Sequence, residues 1–318
     1  MAERIFQGME YIWEVYRAGS FRQAAENLFI SQPSLSASVR RVEERLGTPI
    51  FDRSVKPLRL TQCGERYLTA AEQVMALENE VVEYVNDWGG LRRGDLTLGG
   101  SSLFSSLVLP PLLHRFRQRF PDIRLEVVEE TTGKLETMLQ AGSVDLVVDY
   151  EIPHPECYDW MELAREHLLI AVPRSFPENS ALTAYQVAPQ SILSGESAIA
   201  AAPSVPLERF RDTAFILQKA ENDSRRRADR LCAEADFQPR GLLEFDQQMT
   251  SYHVSCSGMG ACFVGSTLVR RIGPSPDMVY YRPGGEFSRR RICLFWKQGR
   301  YITRAMEAFR DLAASGGV

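Results

Sequence analysis

Short hydrogen-bonding side chains followed by a guanidinium run from Ser31 to Arg40, as Ser-Gln-Pro-Ser-Leu-Ser-Ala-Ser-Val-Arg. This set suits one kind of chemistry, the reading of base edges. Gln pairs with adenine, Ser with any base edge, and Arg with guanine or a phosphate. Small residues among them let a helix sit deep in a major groove. At about 100° per residue, Leu35, Val39, Val42 and Leu46 fall within about 60° of arc and predict a buried stripe. The opposite arc carries Pro33, Ala37, Arg40, Arg41 and Glu44, flanked by Gln32, Ser34 and Ser36. The competing reading is a three-helix core with a solvated serine-rich face, since helix-turn-helix geometry also occurs without DNA.

The neighbouring elements must hold that face outward. Ser20 with Gln23 reads as a capping box opening a short helix with Ala24, Ala25 and Leu28 inward, and Ser31 as the N-cap of the next helix. Two short helices and a tight turn predict a helix-turn-helix. Residues 5 to 17 place Met9, Ile12, Trp13 and Tyr16 on one face of a first helix. Gly47 is the expected C-cap, and Pro49-Ile50-Phe51 returns to the core. The stretch from Arg53 to Thr61 reads as a two-strand wing, with Arg53, Lys56 and Arg59 placed to grip phosphates. From Arg22 to Arg59 the charge balance is +3, whereas the whole 318-residue chain carries −4, so the charge is polarised.

After Gly64 a helix without proline or internal glycine runs to Trp88, roughly 37 Å long at 1.5 Å per residue. Tyr67, Ala71, Val74, Val81, Val85 and Trp88 follow a 4-3 alternation interrupted at Glu78, and Leu68, Met75 and Val82 widen the seam. A compact N-terminal domain cannot cover so long a seam, which predicts pairing with a second chain; packing within its own chain is the alternative. Gly89-Gly90-Leu91-Arg92-Arg93-Gly94 reads as a domain boundary.

Beyond it, strands are expected at 96–98, 123–130 and 144–149, alternating with helices that start at Ser101-Ser102 and at Leu135. This pattern predicts a parallel sheet with ligand sites at the strands' carboxyl ends, here Ser101, Ser102, Thr131 and Thr132. Hydroxyls and unpaired N–H groups at a helix start favour an anion, so a small organic acid is the expected ligand; the plainer role for these serines is capping. Further strands are expected at 160–173, 214–218, 240–245, 261–264, 278–281 and 289–296, and helices at 223–235, 247–256 and 301–314. The Ala-, Pro- and Ser-rich segment 175–212 yields no assignment. Arg225-Arg226-Arg227 could add positive potential, though such runs usually form a solvated helix face.

Signals of catalysis are missing. His114, His154, His167 and His253 have no metal or triad spacing, and neither a G-x-G-x-x-G after a strand nor a G-x-S-x-G elbow occurs. Cys63, Cys157, Cys232, Cys256, Cys262 and Cys293 form no C-x-x-C pair, so reduced thiols are expected and no zinc. With 44% apolar and 25% charged residues, no apolar run near twenty and no signal-peptide pattern, a cytoplasmic protein without membrane contact is expected.

The stretch AAENLFISQPSLSASVRRVEERLGTPIFDRSVKPLRLTQCG resembles the winged helix-turn-helix signature of LysR-type transcriptional regulators, from the paired alanines through S-Q-P-S-L-S, L-G and F-D-R to L-T-x-x-G. In the second half the G-S-S loop, L-P-P-L-L-x-x-F, A-G-S-V-D-L-V-V and S-G-M-G are similar to family elements more loosely, and least between 175 and 212. The resemblance implies an α/β chain with an N-terminal winged helix-turn-helix (1–63), a long linker and dimerisation helix (64–90) and a C-terminal effector-binding domain (91–318). That domain would be two α/β subdomains of periplasmic-binding-protein type, about 91–158 with 270–318, and about 159–269. DNA contacts are then expected from Arg22, Ser31, Gln32, Pro33, Ser34, Ser36, Ala37, Arg40, Arg53, Lys56 and Arg59. By family position, Thr131, Gln218 and Phe245 join Ser101 and Ser102 around the effector. The implied partners are double-stranded DNA, an anionic effector such as a carboxylate, further copies in a homodimer or homotetramer, and RNA polymerase. No cofactor or metal is implied, and a cysteine-based redox switch at Cys256 or Cys262 is the alternative control.

Overall fold

The computed structural model describes residues 4–55, 57–87, 94–150, 152 and 154–315. The chain divides into two compact units, one built on 1–85 with 140–143 and one on 86–139 with 144–318.

In the first unit α1 (Met9–Ala18), α2 (Phe21–Asn27) and α3 (Gln32–Leu46) precede the two-residue strands β1 (Phe51–Asp52) and β2 (Arg59–Leu60), which pair antiparallel, and α4 (Gln62–Asp87). Ile12, Val15, Ala24, Leu35, Val39, Val42 and Ile50 form its core, closed by Tyr67, Leu68 and Ala71 of α4. The first turn of α4 crosses the chain so closely that a Cβ on Gly64 would lie 2.2 Å from the Ile50 carbonyl oxygen. Two expectations need correction. Ser20 occupies the N-cap of α2, but its side chain caps nothing; Gln23 donates instead to Asn27 Oδ1 at 3.2 Å, so no capping box forms. The left-handed Gly8 starts α1 at Met9, which turns Val15 inward and leaves Tyr16 half exposed.

The second unit begins with β3 (Gly94–Gly100), α5 (Leu109–Arg119), β4 (Ile123–Glu129), α6 (Thr132–Gln140), β5 (Leu146–Asp149) and the sixteen-residue β6 (Tyr158–Pro173). The unassigned segment breaks into short pieces: α7 (Glu178–Ala181), β7 (Gln186–Val187), α8 (Pro189–Ser194), α9 (Glu196–Ala201) and β8 (Ser204–Val205). Next come β9 (Ala214–Gln218), α10 (Asp223–Glu234), β10 (Arg240–Phe245), α11 (Gln248–Cys256), β11 (Ala261–Gly265), α12 (Ser266–Ile272), β12 (Met278–Pro283), β13 (Arg289–Lys297) and α13 (Arg304–Ser315). The helix expected to run unbroken from Ser101 contains a π-helical turn over Phe104–Val108. Pro110 and Pro111 open α5 without N–H groups to donate, so the hydrogen-bond register slips before them.

The strands join in the order β10-β9-β11-β6-β13-β5-β3-β4. Parallel triplets β10-β9-β11 and β5-β3-β4 sit at the two ends. Between them β6 pairs antiparallel with β13 over Tyr158 to His167 and with β11 and β12 beyond it, so one strand belongs to both halves. The carboxyl ends of β3, β5 and β9 therefore deliver residues from distant parts of the sequence to one region.

Candidate functional site

The candidate reading face begins with a capped helix. Ser31 Oγ accepts the Ser34 N–H at 3.3 Å, and Leu35, Val39 and Val42 are fully buried beneath α3. Packing on that side turns Gln32, Pro33, Ser34, Ala37 and Arg40 to solvent, with Ser36 half-buried. Arg40 has no ion-pair partner among the described residues and is exposed, whereas Arg22 pairs with Glu26 at 3.2 Å. Arg53 is committed more firmly: it pairs with Glu43 at 2.9 Å and lies 5.1 Å from the Phe21 ring centroid. The same Glu43 accepts the Ile50 and Phe51 N–H groups at 2.9 and 3.3 Å, so Arg53 also ties the wing to α3. Arg59 on β2 is exposed, and Lys56 lies outside the described residues, as does the boundary read at Gly89 to Arg93.

A cavity of about 610 Å³ opens at the strand ends of the second unit. Ser101 and Ser102 line it after β3, Thr131 and Thr132 at the start of α6, Asp149 and Tyr150 after β5, and Gln218 at the end of β9. The starts of α10 and α11 add Asp223, Ser224, Gln247 and Gln248. Phe245 is not among the lining residues; it is half-buried at the end of β10 and packs against the hydrophobic core. Gln218 is only 8% exposed and donates through Nε2 to the Asp246 carbonyl at 3.3 Å. That contact fixes the amide, because the flipped form would set oxygen against oxygen, and it leaves Oε1 buried without a donor.

The lining is more acidic than the sequence suggested. Glu129, Glu130, Asp149, Glu221, Asp223 and Asp246 face Arg226. Burial pushes the Asp149 carboxyl up to about 6, although the Thr132 hydroxyl and the Tyr150 N–H each donate to it at 2.7 Å. Burial acts in the same sense on Asp223, but Arg290 and Arg227, each at 2.9 Å, outweigh it and hold that carboxyl below the usual range. Arg225 and Arg227 are tied to Asp229, Glu244 and Asp223, which limits the free charge of the arginine run. Sequence reasoning missed Asp149 and Asp223; the one available signal was their place directly at a strand end and a helix start.

All six cysteines are free, and burial pushes the Cys262 thiol up to about 12 and raises that of Cys256. Among the described residues no cluster of His, Cys, Asp or Glu could hold a metal, and no helix is long and apolar enough to cross a membrane.

Comparison with known proteins gives the family of both parts of the chain. The model of the bacterial regulatory helix-turn-helix protein, lysR family, matches residues 6–65, and that of the LysR substrate binding domain matches 89–317. The HTH-type transcriptional regulator YcgK of Bacillus subtilis is 29% identical over 309 residues, covering 96% of this chain and 92% of the relative. A probable RuBisCO transcriptional regulator of Trichormus variabilis is 25% identical, covering 92% and 82%. Among solved structures, full-length CbnR in complex with its target DNA superposes with a TM-score of 0.66 at 18% identity, covering 98% and 99%. A full-length OxyR from Pseudomonas aeruginosa gives 0.71 at 22%, covering 97% and 94%; these two likenesses speak for the fold. A lysR-family helix-turn-helix, followed by a LysR substrate-binding domain that takes a small-molecule effector, places this chain in the LysR family of DNA-binding transcriptional regulators, which are regulators and not enzymes.

Proposed function

We propose that α3 reads an operator through Gln32, Ser34, Ser36 and Arg40 in the major groove, with Ser31, Pro33 and Ala37 allowing close approach and Arg22, Arg53, Lys56 and Arg59 touching phosphates. The control ligand is a small molecule held in the cleft with a carboxylate at the Ser101–Ser102 end. One observation carries this reading: Ser101, Ser102, Thr131 and Gln218, far apart in the sequence, line one cavity that contains an unpaired buried acceptor. The acidic walls and Gln218 Oε1 favour a ligand whose remaining groups are donors, such as hydroxyls or a protonated amine.

Two copies pair through the C-terminal half of α4, where Leu77, Val81, Val82, Tyr84 and Val85 are exposed, and their reading helices enter successive grooves of an inverted repeat. Four chains assemble through the second units, and the complex acts on RNA polymerase in the cytoplasm. Effector binding changes DNA affinity to the extent that it prefers one arrangement of the assembly over another. Cysteine-based control is the weaker reading, because a raised thiol pKa works against a reactive thiolate.

A thermal-shift screen of hydroxy acids, amino acids and their decarboxylated amines on the full-length protein tests the cleft. Ser101→Leu should abolish both the shift and the regulatory response while DNA binding persists. A response that survives this substitution would place the effector elsewhere.

A further inference from the structure

We propose that the effector-binding unit carries a second small-molecule site, an arginine groove that takes a polyvalent anion. The groove encloses about 560 Å³ between β13, the first half of β6 and α10. Arg226, Arg227 and Arg230 line it from α10, Arg289, Arg290 and Arg291 from β13, and Arg165 from β6, with Asp223 and Glu286 as the carboxylates among the described lining residues.

Some of these cations have partners. Arg227 and Arg290 share Asp223, Arg290 also pairs with the buried Glu166 at 2.6 Å, and Arg165 pairs with Glu162 at 2.7 Å. Arg230, Arg289 and Arg291 pair with no carboxylate among the described residues. Aromatic rings keep two of them in place: Arg291 lies 4.8 Å from the Trp160 ring centroid and Arg230 lies 4.9 Å from that of Phe287.

Arg291 is the direct cross-strand partner of Arg165 in the β13–β6 ladder, and the Glu162 carboxylate pairs with Arg165 and not with Arg291. Arg230, Arg289 and Arg291 thus leave three guanidinium groups without a carboxylate partner among the described residues around one concavity, where a ligand with two or more negative groups would pair with them. Guanidinium forks match phosphoryl and carboxyl oxygens alike, so the ligand class is a polyphosphorylated or polycarboxylate small molecule. Tyr150, Asp223 and Arg226 line the effector cleft as well, giving the two cavities a shared wall.

The test is calorimetric titration of the full-length protein with inorganic pyrophosphate and, separately, with citrate, at ionic strength held constant with sodium chloride. Saturable binding is expected. Arg289→Gln/Arg291→Gln should raise the half-saturating concentration at least roughly tenfold without lowering the melting temperature of the unliganded protein. Arg230→Gln, on the opposite wall, should repeat that loss, and Ser101→Leu should keep the anion affinity. Preference for pyrophosphate assigns a phosphoryl ligand, and preference for citrate a polycarboxylate. Absence of saturable binding, equal binding by the arginine variants, or loss in Ser101→Leu would each overturn the site. So would arginine variants that lower the salt slope of DNA binding while anion titrations stay unchanged, because the groove would then be a DNA-backbone contact.

Discussion

Arg40 and Arg53 carry the same charge and stand in different surroundings. Arg40 is exposed on α3 with no ion-pair partner among the described residues, so under the proposed readout Arg40→Ala should weaken operator binding by about 1–3 kcal/mol more than binding to random DNA. Competition titrations at fixed salt measure this, and equal losses on every sequence would remove Arg40 from the base readers. Arg53 holds Glu43 and stacks near Phe21, so Arg53→Ala should lower the melting temperature as well as reduce the salt slope by about one unit. Asp149 offers a pH-dependent check. Its carboxyl, flanked by Asp223 and Arg290, is pushed up to about 6 by burial from an ordinary value of 3.8. The folded state therefore keeps this proton longer than the unfolded state, and stability present at low pH is lost as pH rises through about 6, by about 2 to 3 kcal/mol. Asp149→Asn should flatten the decline in denaturant midpoint between about pH 4 and 7. An unchanged pH profile would mean the folded acid titrates normally.

The long helix buries only the first part of its apolar seam in its own chain. Tyr67, Leu68 and Ala71 are buried in that core, so the proposed pairing with a second copy falls to the C-terminal half of α4. There Val81 and Val85 are 63% and 56% exposed, on a helix of 26 residues whose packing against the first unit's core ends near Met75 among the described residues. Val81→Glu should shift sedimentation equilibrium towards monomer and leave the helix-turn-helix folded. A dimer of unchanged stability would locate the interface elsewhere. The sequence pattern could not find this division, because a heptad seam looks alike whether its partner is the same chain or another.

Across the second unit, β6 is the common member of both ends of the sheet, so its amides, with those of β11 and β13, should exchange with one shared opening free energy. Hydrogen exchange resolved along β6 measures this; two separate protection levels, one either side of His167, would mean that the halves open independently. The helix-turn-helix, the long helix and most strands were legible in the amino-acid order alone. Each is written in local periodicity and punctuation, and β9 and β10 fall on the residues expected. Segment 175–212 was illegible because its pieces are held by packing and by pairing of β7 and β8 with β12, not by a period of their own. Which residues line the cavities was decided by three-dimensional arrangement. Strand order brings Ser101, Asp149 and Gln218 to one cleft, leaves Phe245 outside it, half-buried against the core, and sets Arg165 opposite Arg291, since sheet register and crossover join residues that no sequence spacing relates.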